Sequence, residues 1–442
     1  GPGVVARINN PAAGAGTIDV TLAAGKTITA TGGIGVLTNS GLSNGLATVT
    51  LAGSVTGTDG VNATSGAGAI KVAASGGSAT GTAGDGIRAI SGAGAIDLQM
   101  AGSVTGSVNG TFASSTSGTV AISGSGPIVG ATGLGIYGAS GSGNVTIATS
   151  GTVTSTGGDG IRGVAGGAGA VAITTGGTVT AKGIGVQAQS ANGVATITTN
   201  AAVTGGNLGI VGNAVGSGNV VINANARVSA SNGTGVYALL QGAGAGMITV
   251  NQNAASLITG TNGFGIRTDS GTSTGATTIN VAGEVIATGA GNAGVRASST
   301  AGNIALNVAS TGKIDPDLGV DMNTATGALS INNAGLITGT ITGVQLVATG
   351  NGTGAINNTG TITGGTNAVV GSFNTGAFTL FNAGTLNGAV NVGGANVAGS
   401  TFTNTATGAA NLTGSSVFSG NLNNAGTVNL APAATFGLLG NT

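Results

Sequence analysis

The chain has 442 residues, 93 of them glycine, no Cys, His or Trp, and ten charges of each sign. Zero net charge with only 5 % charged residues excludes electrostatic capture of nucleic acid or anionic lipid, both of which need clustered Lys and Arg. The lack of Cys and His excludes a disulfide framework, a thiol nucleophile and a serine–histidine pair.

Val, Ile and Thr recur at regular positions, which separates the chain from disordered glycine-rich segments and marks it as folded and all-β. No stretch reaches the roughly 18 apolar residues of a membrane helix. Gly1-Pro2 reads as a tag-cleavage scar on an excised fragment.

Along the chain one signature repeats: glycine, an apolar residue, any residue, a small residue. It stands at Gly86-Ile87-Arg88-Ala89, Gly135-Ile136-Tyr137-Gly138, Gly160-Ile161-Arg162-Gly163 and Gly185-Val186-Gln187-Ala188, and continues to Gly343-Val344. Its step of about 25 residues predicts a stacked solenoid. Residues 86–110 serve as a specimen. Ile87 and Ala89 flank Arg88 in a first strand with one buried face. Ser91-Gly92-Ala93-Gly94 reads as a turn, its glycines suited to positive φ. Ile96 and Leu98 alternate with Asp97 and Gln99 in a second strand, and Ser103-Val104-Thr105 makes a third.

The second strand recurs at Val145-Thr146-Ile147 and Ile279-Asn280-Val281, and the third at Thr152-Val153-Thr154 and Thr361-Ile362-Thr363. These columns predict a single-stranded right-handed parallel β-helix with three short strands per coil. The coils are regular over 1–371, with longer turns near 241–276. Over 372–442 they become richer in Asn and Phe, as in Phe378-Thr379-Leu380-Phe381-Asn382.

The C-terminal half repeats Ile331-Asn332-Asn333-Ala334-Gly335, Ile356-Asn357-Asn358-Thr359-Gly360 and Leu422-Asn423-Asn424-Ala425-Gly426. These coils resemble the passenger domains of bacterial type V autotransporters, and the resemblance covers nearly the whole chain. Two-partner secreted adhesins and phage-type β-helices have similar coils. The resemblance implies a right-handed β-helix exported across a Gram-negative outer membrane by a C-terminal β-barrel. The passenger would lie outside the cell, at the surface or secreted, and not be inserted in the membrane. Alternating barrel strands do not follow here, so the translocator is expected to be absent.

Several columns carry candidate roles. Asn332 with Asn357, and Asn333 with Asn358, are each 25 residues apart and predict structural amide ladders. Lys71 with Asp97, Glu284 with Lys313, and Arg296 with Asp321 predict ion pairs between adjacent coils, each worth under about 1 kcal/mol. The variable residue of the signature forms a stripe: Phe112, Tyr137, Arg162, Gln187, Tyr237, Arg267 and Arg296. Tyr137 beside Arg162, and Tyr237 beside Arg267, predict cation–π contacts. Tyr and Arg dominate binding hot spots, which makes the stripe a candidate partner surface; cross-strand packing of exposed residues is the structural alternative. Asp59-Gly60, Asp85-Gly86 and Asp159-Gly160 read as turn dipeptides rather than calcium repeats.

The expected function is that of a surface or secreted passenger without catalytic, cofactor or metal site. It would act as an adhesin or self-association rod, its partner a host or bacterial surface protein, a glycan, or another copy. A secreted effector binding a host receptor or glycan is the alternative. Two further readings are ice binding by Thr27-Ile28-Thr29-type arrays and polysaccharide cleavage by Asp315, Asp317 and Asp321.

Overall fold

A computed structural model describes residues 1–8, 16–393 and 399–439. It falls into two compact units, 1–218 and 219–442. Each unit is an all-β parallel β-solenoid, and no helix occurs among the described residues.

The stacking is clear in the specimen coil. The strand Ile87–Ser91 pairs in parallel with Val61–Ser65 before it and Thr111–Ser115 after it. Ile96–Met100 pairs likewise with Ile70–Ala74 and Val120–Gly124, and Val104–Gly106 with Ala79–Gly81 and Ile128–Gly130. Within each unit, first- and third-column strands share one hydrogen-bonded sheet, and second-column strands form another. The second unit keeps this register, with Ile279 opposite Leu306 and Val295 opposite Val320.

Strict alternation explains why each strand lies as it does. Ile87, Ala89, Ile96, Leu98 and Val104 are fully or almost fully buried, while the residues between them face out. Burying each large side chain favours the stack by about 1.5–3 kcal/mol. A lone coil has no layer beneath it, so this gain belongs to the stack. In the second unit, Phe373, Phe378, Phe402 and Phe418 fill the interior, each at most 1 % exposed. Phe373 stacks on Phe378 at 5.2 Å between ring centroids, and Phe402 meets Phe418 at 5.9 Å. Residues 394–398 and 440–442 of the Asn- and Phe-rich region lie outside the described residues.

The glycines have a different cause from the one their turn positions suggest. Left-handed glycines include Gly41, Gly167 and Gly271, but not Gly92 or Gly94. A Cβ on Gly92 would stand 2.1 Å from the carbonyl oxygen of Gly66, and one on Gly94 would stand 2.0 Å from that of Gly68. The signature glycines behave alike. A Cβ on Gly160 would meet the Gly185 carbonyl oxygen and a Val179 methyl, both at 2.5 Å. Close approach of successive coils, not positive φ, demands glycine at these positions.

Small polar side chains close the turns. Ser115 Oγ accepts the N–H of Gly118 in its own turn and donates to the Gly94 carbonyl of the preceding coil. Ser91 and Ser140 do the same. The longer turns at 241–246 and 270–275 touch each other, since Ser273 Oγ donates to the carbonyls of Gly244 and Gly246.

Candidate functional site

The outward residue of the first-column strands forms a half-buried stripe in each unit. In the first unit Arg88, Phe112, Tyr137, Arg162 and Gln187 are successive register partners, and the buried Val211 ends the run. In the second, Tyr237, Arg267, Arg296, Asp321 and Gln345 follow one another in the same way. The alternation that buries the apolar neighbours of each residue holds it on the outer wall.

Contacts within the stripe differ between the units. In the first, Phe112 and Tyr137 stack at 5.0 Å, and the Arg88 guanidinium covers Phe112 at 4.8 Å. The expected Tyr137–Arg162 cation–π contact does not form among the described residues; Tyr137 turns to the ring of Phe112 instead, as aromatic pairs at this spacing do. Arg162 Nε is buried without a hydrogen-bond partner. In the second unit, Arg267 lies 4.9 Å over Tyr237, as the spacing predicts. Phe264 adds a ring to this cluster, 5.8 Å from Arg267 and 5.2 Å from Arg296. It directly precedes the signature glycine Gly265, one position outside the stripe motif.

Acidic residues hold three of the arginines. Asp85, almost fully buried, meets Arg88 at 3.2 Å; Asp269 meets Arg267 at 4.0 Å; Asp321 meets Arg296 at 3.6 Å. Burial raises the Asp321 pKa above the ordinary aspartate value, and Arg296 only partly offsets it. Burial likewise raises the Tyr237 pKa; the Arg267 charge opposes this and Asp269 adds to it.

Lys71 stands opposite Asp97, and Glu284 opposite Lys313, in strand register. Among the described residues neither pair closes to 4 Å, so of the three expected ion pairs only Arg296–Asp321 is made. Asp97 instead accepts a hydrogen bond from Gln99 at 2.9 Å. Two exposed chains gain little from holding one geometry in water.

The buried amide ladder forms and runs further than the two coils that reveal it. Asn333, Asn358, Asn382 and Asn404 each donate 2.8 Å bonds to Oδ1 of the next member, ending on Asn424. Each also donates to the backbone carbonyl that opens the third-column strand of the next coil, as Asn358 does to Thr385. Asn357 stands in register with Asn332, but the expected amide bond between them does not form among the described residues; Asn332 donates instead to Asn307 of the preceding coil at 2.9 Å.

The Asp-Gly positions lie in the bends before the first-column strands and also tie successive coils together. Asp59 Oδ1 accepts the N–H of Asp85, Asp85 Oδ1 that of Asn109, and Asn109 Oδ1 that of Leu134, at 2.8–3.2 Å. Asp159 does the same for Ile184 at 2.8 Å. In the acidic cluster, Asp317 accepts from Thr340 Oγ1 at 2.7 Å and from the Gly291 N–H, and Asp321 belongs to Arg296. No group of three or more His, Cys, Asp or Glu suited to a metal ion occurs among the described residues.

No protein-family model matches the chain, and no match was found among curated proteins or solved structures.

Proposed function

We propose that the chain is the passenger part of a secreted or surface-displayed protein of a Gram-negative bacterium. In this reading it works by attachment, to a host or bacterial surface protein, to a glycan, or to another copy of itself, and carries out no catalysis. Each coil is read as three strands wound right-handedly. Pairing at three fixed positions supports the strand number, and the strong preference of parallel crossovers for that hand supports the winding. The likeness of its coils to autotransporter passengers supports the export route and the location outside the outer membrane.

The observation that carries the reading is the stripe. Arginines and aromatic rings occupy neighbouring positions on one outer wall of each unit, and Arg162 Nε is left without a partner. Half-buried Arg and Tyr already packed against neighbouring rings and carboxylates have less side-chain freedom to lose on binding, which favours them as anchors. Two of the three carboxylates that an enzyme of this fold would use are engaged, Asp321 by Arg296 and Asp317 by Thr340 and the Gly291 backbone, which favours attachment over hydrolysis.

The test is a pull-down and glycan-array screen with the purified chain and with Tyr137→Ala, Arg162→Ala, Tyr237→Ala and Arg267→Ala. Binding that weakens in these variants supports the stripe. Binding unchanged in all four returns it to a purely structural role.

A further inference from the structure

The second unit carries an array on another wall, independent of the stripe. One outward position of its second-column strands holds Asn223, Asn251, Asn280, Asn307, Asn332 and Asn357 in six successive coils. From Asn251 to Asn332, each amide nitrogen donates to the preceding Oδ1 at 2.8–2.9 Å. The next residue of the column is Phe381, opposite Asn357 and 42 % exposed. Along the amides runs a groove of about 380 Å³ lined by Asn280, Asn307, Asn332 and Asn357 together with Ala309 and Ala334. No charged side chain lines it.

The chemistry of this wall is specific. A primary amide has two N–H donors and a carbonyl with two lone pairs. Asn251, Asn280 and Asn307 each use one of each in the ladder, so each keeps one N–H and one lone pair for a ligand. That donor–acceptor couple recurs every coil, about 4.8 Å apart. Sugar hydroxyls both donate and accept, and an extended pyranose chain advances by about one coil per ring. Phe381, next along the column, adds exposed apolar surface for the C–H side of such a ring. A carboxylate or ammonium would lose its water here and find no opposite charge.

Two other occupants fit less well. Residues on one side of a peptide strand recur about every 6.8 Å, out of step with the coils. A second copy would present the same concave groove, and two concave faces leave each other unfilled. We infer that this groove binds an uncharged, extended polysaccharide lying along the Asn column, with Phe381 stacked on a terminal ring. The inference goes beyond the attachment reading, because it uses none of the stripe residues.

Titration calorimetry of the whole chain against short cello-, xylo-, manno- and galacto-oligosaccharides tests it, with oligogalacturonate as the charged comparison. At least one neutral oligosaccharide is expected to bind, and the charged one is not. Phe381→Ala, Asn307→Ala and Asn332→Ala should each weaken binding about tenfold, the loss of one net contact. Arg267→Ala should leave it unchanged, which separates this site from the stripe. Phe381→Ala removes no ladder bond, so it decides the matter even where an Asn variant unfolds. Absence of binding by every neutral sugar, equal binding of the charged one, or binding indifferent to Phe381→Ala overturns the proposal.

Discussion

Replacing Asn358 by Ala should open the middle of the buried amide ladder. Asn358 is fully buried. Its Nδ2 donates to Asn382 Oδ1 at 2.8 Å and to the Thr385 carbonyl at 3.2 Å, and its Oδ1 accepts from Asn333 at 2.8 Å. Three bonds are lost at about 1 kcal/mol each, and Asn382 Oδ1 loses its amide donor, which costs about 1–3 kcal/mol more. Asn333 retains the Thr361 carbonyl, so its own penalty is small. The sum is about 4–6 kcal/mol. In a stack of coils this loss is local, so amide hydrogen exchange reads it better than a single melting curve. Amides of Leu329–Asn333, Gly354–Asn358 and Phe378–Asn382 should lose protection by about a thousandfold or more. Asn332→Ala breaks one exposed ladder bond of 2.9 Å and should change protection by less than about tenfold. Equal protection losses in the two variants would refute the claim that burial makes the inner ladder matter.

Gly160→Ala places a Cβ 2.5 Å from the Gly185 carbonyl oxygen and a Val179 methyl, and should cost at least about 1–3 kcal/mol; a melting temperature equal to wild type contradicts the close-approach account. Phe418→Ala removes a fully buried ring packed on Phe378 and Phe402, and should cost about 3–5 kcal/mol, read as lost protection in the coils around 402–418. Asp321→Asn tests the pH dependence. The folded-state pKa of Asp321 is raised by burial, so its contribution to stability is full below the ordinary aspartate pKa and is lost as pH rises through the folded value. The stability of Asp321→Asn relative to wild type should therefore increase from acid to neutral pH, and a relative stability that falls over that range refutes the assignment.

The columns were legible because the repeat length equals the coil length. Once Ile87, Ile136 and Ile161 are aligned, Arg88, Tyr137 and Arg162 fall on one wall without further information, and the register bears this out. The inner amide ladder was legible for the same reason, from Asn333 and Asn358. Side-chain choices among neighbours were not. Tyr137 could turn to Phe112 or to Arg162, and spacing alone treats the two alike. Phe264 was missed because it lies just before the motif, in the column of Asp85 and Asn109, where it reads as a turn residue. The glycines were seen but given the wrong cause, since a sequence shows a turn more readily than the carbonyl of the next coil. The outer column from Asn223 to Asn307 escaped because variable turn lengths hide its period until the strands are paired.

The central claim is that this chain attaches through its outer wall. Beads coated with the purified chain, and with the Tyr137→Ala, Arg162→Ala, Tyr237→Ala, Arg267→Ala combination, measure it most directly by counting attachment to bacterial and host cells and to one another. The account predicts saturable attachment or clumping by the wild-type beads, lost in the combination variant. Wild-type beads that neither attach nor clump above uncoated ones would contradict it.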